Sequence, residues 1–217
     1  MSRSILLIGK PGSSKTVFLA QFYLRLQKRK SELSLSDVIG NISVLAPSLD
    51  ALADGSEPQP TPTEDNREFL LPVVDREGNR FDLLCPEYGG EQINTIIRTR
   101  LLDKRWMESV VSSNNWLFFI RLNSLARSKD LSDLTPSGTQ VHDQQNERPE
   151  YEISDQVAFI ELLQLMLQQK AHDYHHLQKD IRLTIVLTCW DELETEEPPK
   201  SLLYAELPLL ASFISSN

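Results

Sequence analysis

The chain has 217 residues and a mass of 24.8 kDa, the size of one ordinary domain or of one domain carrying an insertion. Asp and Glu number 31 against 22 Lys and Arg, and the net charge of −9 argues against a general phosphate-backbone binder, so no nucleic-acid partner is expected. No apolar run reaches the ~18 residues of a membrane span, and the start of the chain lacks the small-residue cleavage site of a signal peptide. Cys85 and Cys189 are too few for a disulfide framework or a structural zinc site, which predicts a reduced, cytoplasmic chain. Four of the eight glycines gather in two pairs, Gly9/Gly12 and Gly89/Gly90, where unusual backbone geometry is expected.

Residues 4–8, Ser-Ile-Leu-Leu-Ile, read as a strand buried on both faces, the pattern of a parallel sheet. From Lys15 the apolar period changes to that of a helix, which ends in the basic Lys28-Arg29-Lys30. Residues 31–67 are less regular, with a short helix near 48–53 and then a Pro-rich stretch unsuited to helix or central strand. Residues 68–75 and 80–85 flank Arg76-Glu77-Gly78-Asn79 as a β-hairpin. Ile93, Ile96, Ile97, Leu101, Met107 and Val110 predict one amphipathic helix through Ser112, and residues 116–120 another buried strand. The polar, turn-prone residues 127–152 read as a mobile insertion within a single domain spanning 1–217. Asp155 is expected to cap a helix over 156–171, residues 182–187 form the last strand, and residues 201–216 form one helix. Such alternation predicts an α/β fold, a mostly parallel sheet with one antiparallel hairpin strand and helices on both faces.

Gly9-Lys10-Pro11-Gly12-Ser13-Ser14-Lys15-Thr16 fits the phosphate-loop pattern G-x-x-x-x-G-K-[ST], except that Ser14 stands where Gly is expected. Such a loop turns successive backbone N–H groups toward a triphosphate, and the helix opened by Lys15, Thr16 and Val17 adds its positive end. Lys15 would meet the β- and γ-phosphates, and the Thr16 hydroxyl would ligate Mg2+. The hairpin's second strand leads into Pro86-Glu87-Tyr88-Gly89-Gly90-Glu91-Gln92. The metal-side carboxylate expected there is supplied best by Glu87, and either Gly89 or Gly90 would present an N–H to the γ-phosphate. Asp82 is too early, lying inside the strand. Glu91 or Gln92 would position the attacking water, Thr61 or Thr63 would close over Mg2+, and Arg98 and Arg100 read chiefly as solvated helix residues. At the mouth of the last strand, Thr188-Cys189-Trp190-Asp191 places a carboxylate where it would accept from N1 and N2 of guanine; the alternative is a helix-capping Asp. His172, His175 and His176 have metal-like spacing but read as histidines favoured by a helix end, and the acidic residues 191–197 as a solvated loop.

Together, residues 9–16, 87–90 and 188–191 resemble a Ras-like P-loop GTPase of the translation-factor-related class. The finer resemblance is to the double-GTPase family of bacterial conflict and defence gene clusters, carried by Pro86-Glu87-Tyr88-Gly89-Gly90-Glu91-Gln92, by Thr188-Cys189-Trp190-Asp191-Glu192-Leu193 and by Leu207-Pro208-Leu209-Leu210. It implies a three-layer P-loop sandwich, GTP and GDP as ligands with Mg2+, and a GTP-fuelled switch working beside a protein effector. A domain of this kind continues with another strand and a final helix, which this chain, ending at Asn217, is expected to lack. Ser14, the absent strand-end Asp and Cys189 depart from the family pattern and leave two alternatives open, a non-hydrolysing nucleotide-binding scaffold and an ATPase. The sequence does not specify an oligomeric state.

Overall fold

In the computed structural model, the described residues are 3–28, 32–39, 42–56, 58, 68–86, 91–127, 153–171 and 180–216. Their order is β1 (Arg3–Ile8), α1 (Lys15–Gln27), β2 (Leu33–Leu35), α2 (Ala46–Asp54), β3 (Phe69–Asp75), β4 (Arg80–Cys85), α3 (Glu91–Thr99), α4 (Lys104–Ser112), β5 (Ser113–Arg121), α5 (Asp155–Lys170), β6 (Arg182–Thr188), α6 (Pro199–Glu206) and α7 (Pro208–Ser216). The six strands form one sheet in the order β2-β3-β4-β1-β5-β6. β4, β1, β5 and β6 are mutually parallel, whereas β3 runs antiparallel to both β4 and β2. β3 is therefore the one reversed strand, as expected from the hairpin.

Alternate residues of β1, β4, β5 and β6 feed two cores. Leu6, Ile8, Trp116, Phe118 and Ile120 pack with Phe159, Leu162, Leu163 and Met166 of α5 and with residues of α3, α4 and α7. On the other face Leu7, Leu83, Cys85 and Phe119 pack with Leu19, Tyr23 and Leu26 of α1 and with Val44 and Leu45 before α2. This is the three-layer α/β sandwich of a P-loop protein. The helices that follow the neighbouring strands β1 and β5 lie on opposite faces, which opens a crevice between the carboxyl ends of these two strands. Open α/β sheets place their ligands at such a switch point.

Four local expectations are corrected. The single helix over 93–112 is two: Arg100 takes φ 57°, its N–H donates to Ile96 O at 2.7 Å, and Asp103 caps α4 by accepting from Trp106 N at 2.8 Å. Residues 201–216 also form two helices, because Pro208 drives the preceding Leu207 to φ −132°, ψ 58°, out of the helical region. Asp155 is not the cap of α5 but its first residue; the cap position is Ser154, and the Asp155 carboxylate is used elsewhere. The short β2 falls in a stretch expected to be irregular and pairs Leu33–Leu35 with Asp75, Val74 and Val73. The expected insertion lies, apart from Arg127, outside the described residues.

Candidate nucleotide site

β1 ends at Ile8 in the middle of the sheet, and residues 9–14 turn the chain into α1. Gly9 is required by space: a Cβ there would lie 2.5 Å from Ser13 Oγ and 2.9 Å from the carbonyl oxygen of Phe119. Gly12 is required by conformation, at φ 75°. Ser14 also stands in the left-handed region, at φ 60°, ψ 21°, the geometry for which the expected glycine is suited. Lys15 is buried, and its Nζ donates to Gly9 O at 2.5 Å, Lys10 O at 3.1 Å and Ser13 Oγ at 3.4 Å. Its ammonium is thus held inside the curve of the loop by oxygen acceptors, which phosphate oxygens could replace. Thr16 is half-buried in the first turn of α1, beside the helix end that favours anions.

β6 ends at Thr188, whose Oγ1 donates to Ile120 O at 3.3 Å. A short 3-10 turn, Trp190–Leu193, follows, flanked by Cys189 at φ 52° and Glu194 at φ 44°. Two non-glycine residues in the left-handed region cost about 1–2 kcal/mol each, so the turn depends on its surroundings to hold it. Asp191 is exposed, and among the described residues its carboxylate has no hydrogen-bond or ion-pair partner. Ser14 Oγ and Cys189 Sγ are 3.2 Å apart, so the phosphate loop and the turn bearing Asp191 touch across one crevice. Two of the departures from the usual pattern, Ser14 and Cys189, are thus in contact with each other.

Thr61, Thr63, Glu87, Gly89, Gly90, His172, His175 and His176 lie outside the described residues, as does the side chain of Glu91. Gln92 is described, and its Oε1 accepts from Trp106 Nε1 at 2.9 Å, which ties α3 to α4. Asp82 pairs in register with Ser4 of β1, at the amino end of that strand, about 13 Å from its mouth at the ~3.3 Å rise of a strand. Arg98 is exposed on α3, and Arg100 forms an ion pair with Glu161 at 2.8 Å.

Two constellations are visible in the structure but not in the sequence. Lys10 Nζ, from the phosphate loop, is hydrogen-bonded to Asp155 Oδ1, and Asp155 Oδ2 accepts from Ala126 N at 3.0 Å. The Asp155 N–H in turn donates to Ala126 O at 2.9 Å. This buried carboxylate joins the phosphate loop, the chain after β5 and the start of α5. Arg121, the last residue of β5, makes a two-pronged contact with Glu192, Nε to Oε2 at 3.0 Å and Nη2 to Oε1 at 2.5 Å. The Arg121 guanidinium holds the Glu192 carboxyl below its usual value, with smaller help from Asn123 and the Cys189 thiol. Neither pair has a local sequence signal, because the partners are 145 and 71 residues apart.

Among the described residues no group of three or more His, Cys, Asp or Glu could hold a metal. The Thr16 hydroxyl is one oxygen donor beside the phosphate cradle. Mg2+ is commonly bound through one or two protein oxygens plus substrate phosphates, so a cation arriving with a triphosphate suits this donor set.

Sheet order, reversed β3 and phosphate loop define a P-loop NTPase-like protein. A family model, Double-GTPase 1, matches residues 6–217. The chain belongs to that family, whose name implies GTPase activity and guanine nucleotide as ligand. Comparison with curated proteins and with solved structures gave no match. No helix among the described residues is long and apolar enough to cross a membrane.

Proposed function

We propose that the chain binds GTP with Mg2+ between residues 9–16 and 188–191 and hydrolyses it slowly, as a molecular switch docking a protein effector in a bacterial defence or signalling system. The contact of Ser14 with Cys189 is the observation that carries the reading, because it brings the phosphate-binding and base-reading motifs to one crevice. In this reading Lys15 leaves its carbonyl acceptors for the β- and γ-phosphates, and the N–H groups of residues 9–16 line the anion. Thr16, Glu87 and Thr63 would hold Mg2+, which would supply neutralisation of the charge between the phosphates. Gly89 or Gly90 senses the γ-phosphate, and Glu91 or Gln92 orients the attacking water. Thr188 and Cys189 flank the base, and Asp191 accepts from guanine N1 and N2. Adenine presents no such pair of donors, so a desolvated carboxylate would reject it.

Hydrolysis is tested by single-turnover phosphate release from GTP, with Mg2+ and with excess EDTA. The expected result is slow, Mg2+-dependent release that Lys15→Ala abolishes. Bound GTP without release would instead select the non-hydrolysing scaffold. That second reading is favoured by one observation: β4 ends in the buried Cys85, with Pro86 next, where hydrolases of this architecture carry an Asp.

A further inference from the structure

The turn that carries Asp191 has little to define its position by itself. It is four residues long and flanked by left-handed Cys189 and Glu194. Its next residue, Glu192, is where the rest of the protein takes hold. The Glu192 carboxylate receives both prongs of the Arg121 guanidinium, and the Glu192 carbonyl accepts from Asn123 Nδ2 at 3.0 Å. The Glu192 N–H donates to Cys189 O at 3.1 Å, closing the turn on itself. Arg121 and Asn123 belong to the end of β5 and the 3-10 turn Leu122–Ser124, whose own Ser124 Oγ donates to Arg121 O at 3.0 Å. Both partners of the ion pair are about two-thirds covered. A two-pronged Arg–carboxylate contact fixes orientation as well as distance, unlike a point contact from a lysine.

We infer that Arg121 and Glu192 form a positioning pair for guanine recognition, clamping the Asp191 turn to the end of β5 so that its carboxylate faces the base. The inference rests on the reading of Asp191 as the base-reading residue. Arg121 and Glu192 do not touch the nucleotide; they act through the turn. Cys189 sets the clamped turn against Ser14 of the phosphate loop.

The test is calorimetric binding of GTP and ATP, each with Mg2+, to wild type, Arg121→Ala, Glu192→Gln and the double variant Arg121→Ala/Glu192→Gln, with thermal melts as a folding control. A pair acting through the turn predicts that each single variant weakens GTP about 10-fold and leaves ATP unchanged, and that the double variant loses no more than either single one. Equal loss of GTP and ATP, full additivity, or unchanged GTP affinity in folded variants would overturn the pairing. Wild type alone tests the underlying reading: if it does not prefer GTP over ATP, guanine recognition by Asp191 fails and the clamp loses its role. If wild type discriminates and the variants still do, the clamp alone fails.

Discussion

At the scale of the residue, the site combines strain with contacts that hold it. Ser14 occupies a left-handed conformation without being glycine. Ser14→Gly should stabilise the protein by about 0.5–1 kcal/mol in urea unfolding, relief of backbone strain outweighing a weak hydroxyl–thiol contact. A loss of stability would mean that the Cys189 contact matters more than the strain. Asp155 is the opposite case, a side chain 6% exposed whose two oxygens both have partners. Asp155→Ala should cost about 2 kcal/mol in the same measurement, at the lower end for charged hydrogen bonds because Lys10 is 28% exposed and can turn to water. The legibility of these residues differed for a physical reason. Gly9, Gly12, Lys15 and Thr16 lie in one turn, so sequence spacing alone reports their shared geometry. Lys10 and Asp155 meet only because α5 begins beside the phosphate loop, and no local pattern encodes that meeting.

At the scale of the element, the strands and the first helix were legible because apolar period and Gly punctuation agree. The breaks within 93–112 and 201–216 were harder to see, since apolar spacing runs through them. Asp103 and Pro208 were the available signals, a cap residue and a ring that excludes the helical conformation from the residue before it. The acidic stretch after β6 looked like a solvated loop, yet Glu192 in it is tied to Arg121 from β5. This tie sets an expected pH dependence. The Glu192 carboxyl is held below its usual 4.5 in the folded protein, so its contribution is complete above that value and is lost as pH falls through the lower folded value. The preference for GTP over ATP should therefore stay flat from about pH 8 to about pH 5 and fall only under more acidic conditions. A preference titrating near neutrality in competition binding would point to a different group.

At the scale of the whole molecule, alternation of strands and helices predicted the α/β class, and the hairpin predicted the reversed strand. Sheet order could not be read in that way, because parallel neighbours such as β1 and β5 are joined through distant chain. Stability rests on two cores separated by the sheet. Phe118 of β5 is fully buried, and its ring meets Phe159 of α5 edge-on at 5.2 Å and 81°. Phe118→Ala should cost about 3–5 kcal/mol in urea unfolding, a large share of the ~5–15 kcal/mol that holds a domain together. A cost below about 1 kcal/mol would mean that the helical layer is not packed on the sheet as described.

The crevice between β1 and β5 matters most to the account, and it is tested most directly by titration calorimetry of GTP, GDP and ATP with Mg2+ on wild type, Lys15→Ala and Asp191→Ala. The account predicts guanine-selective binding by wild type and binding weakened at least about 10-fold in Lys15→Ala. It also predicts that Asp191→Ala still binds nucleotide but no longer distinguishes GTP from ATP. Equal affinity of wild type for GTP and ATP, or selectivity surviving in Asp191→Ala, would contradict guanine reading at this turn, and GTP affinity unchanged by Lys15→Ala would contradict phosphate binding at this loop.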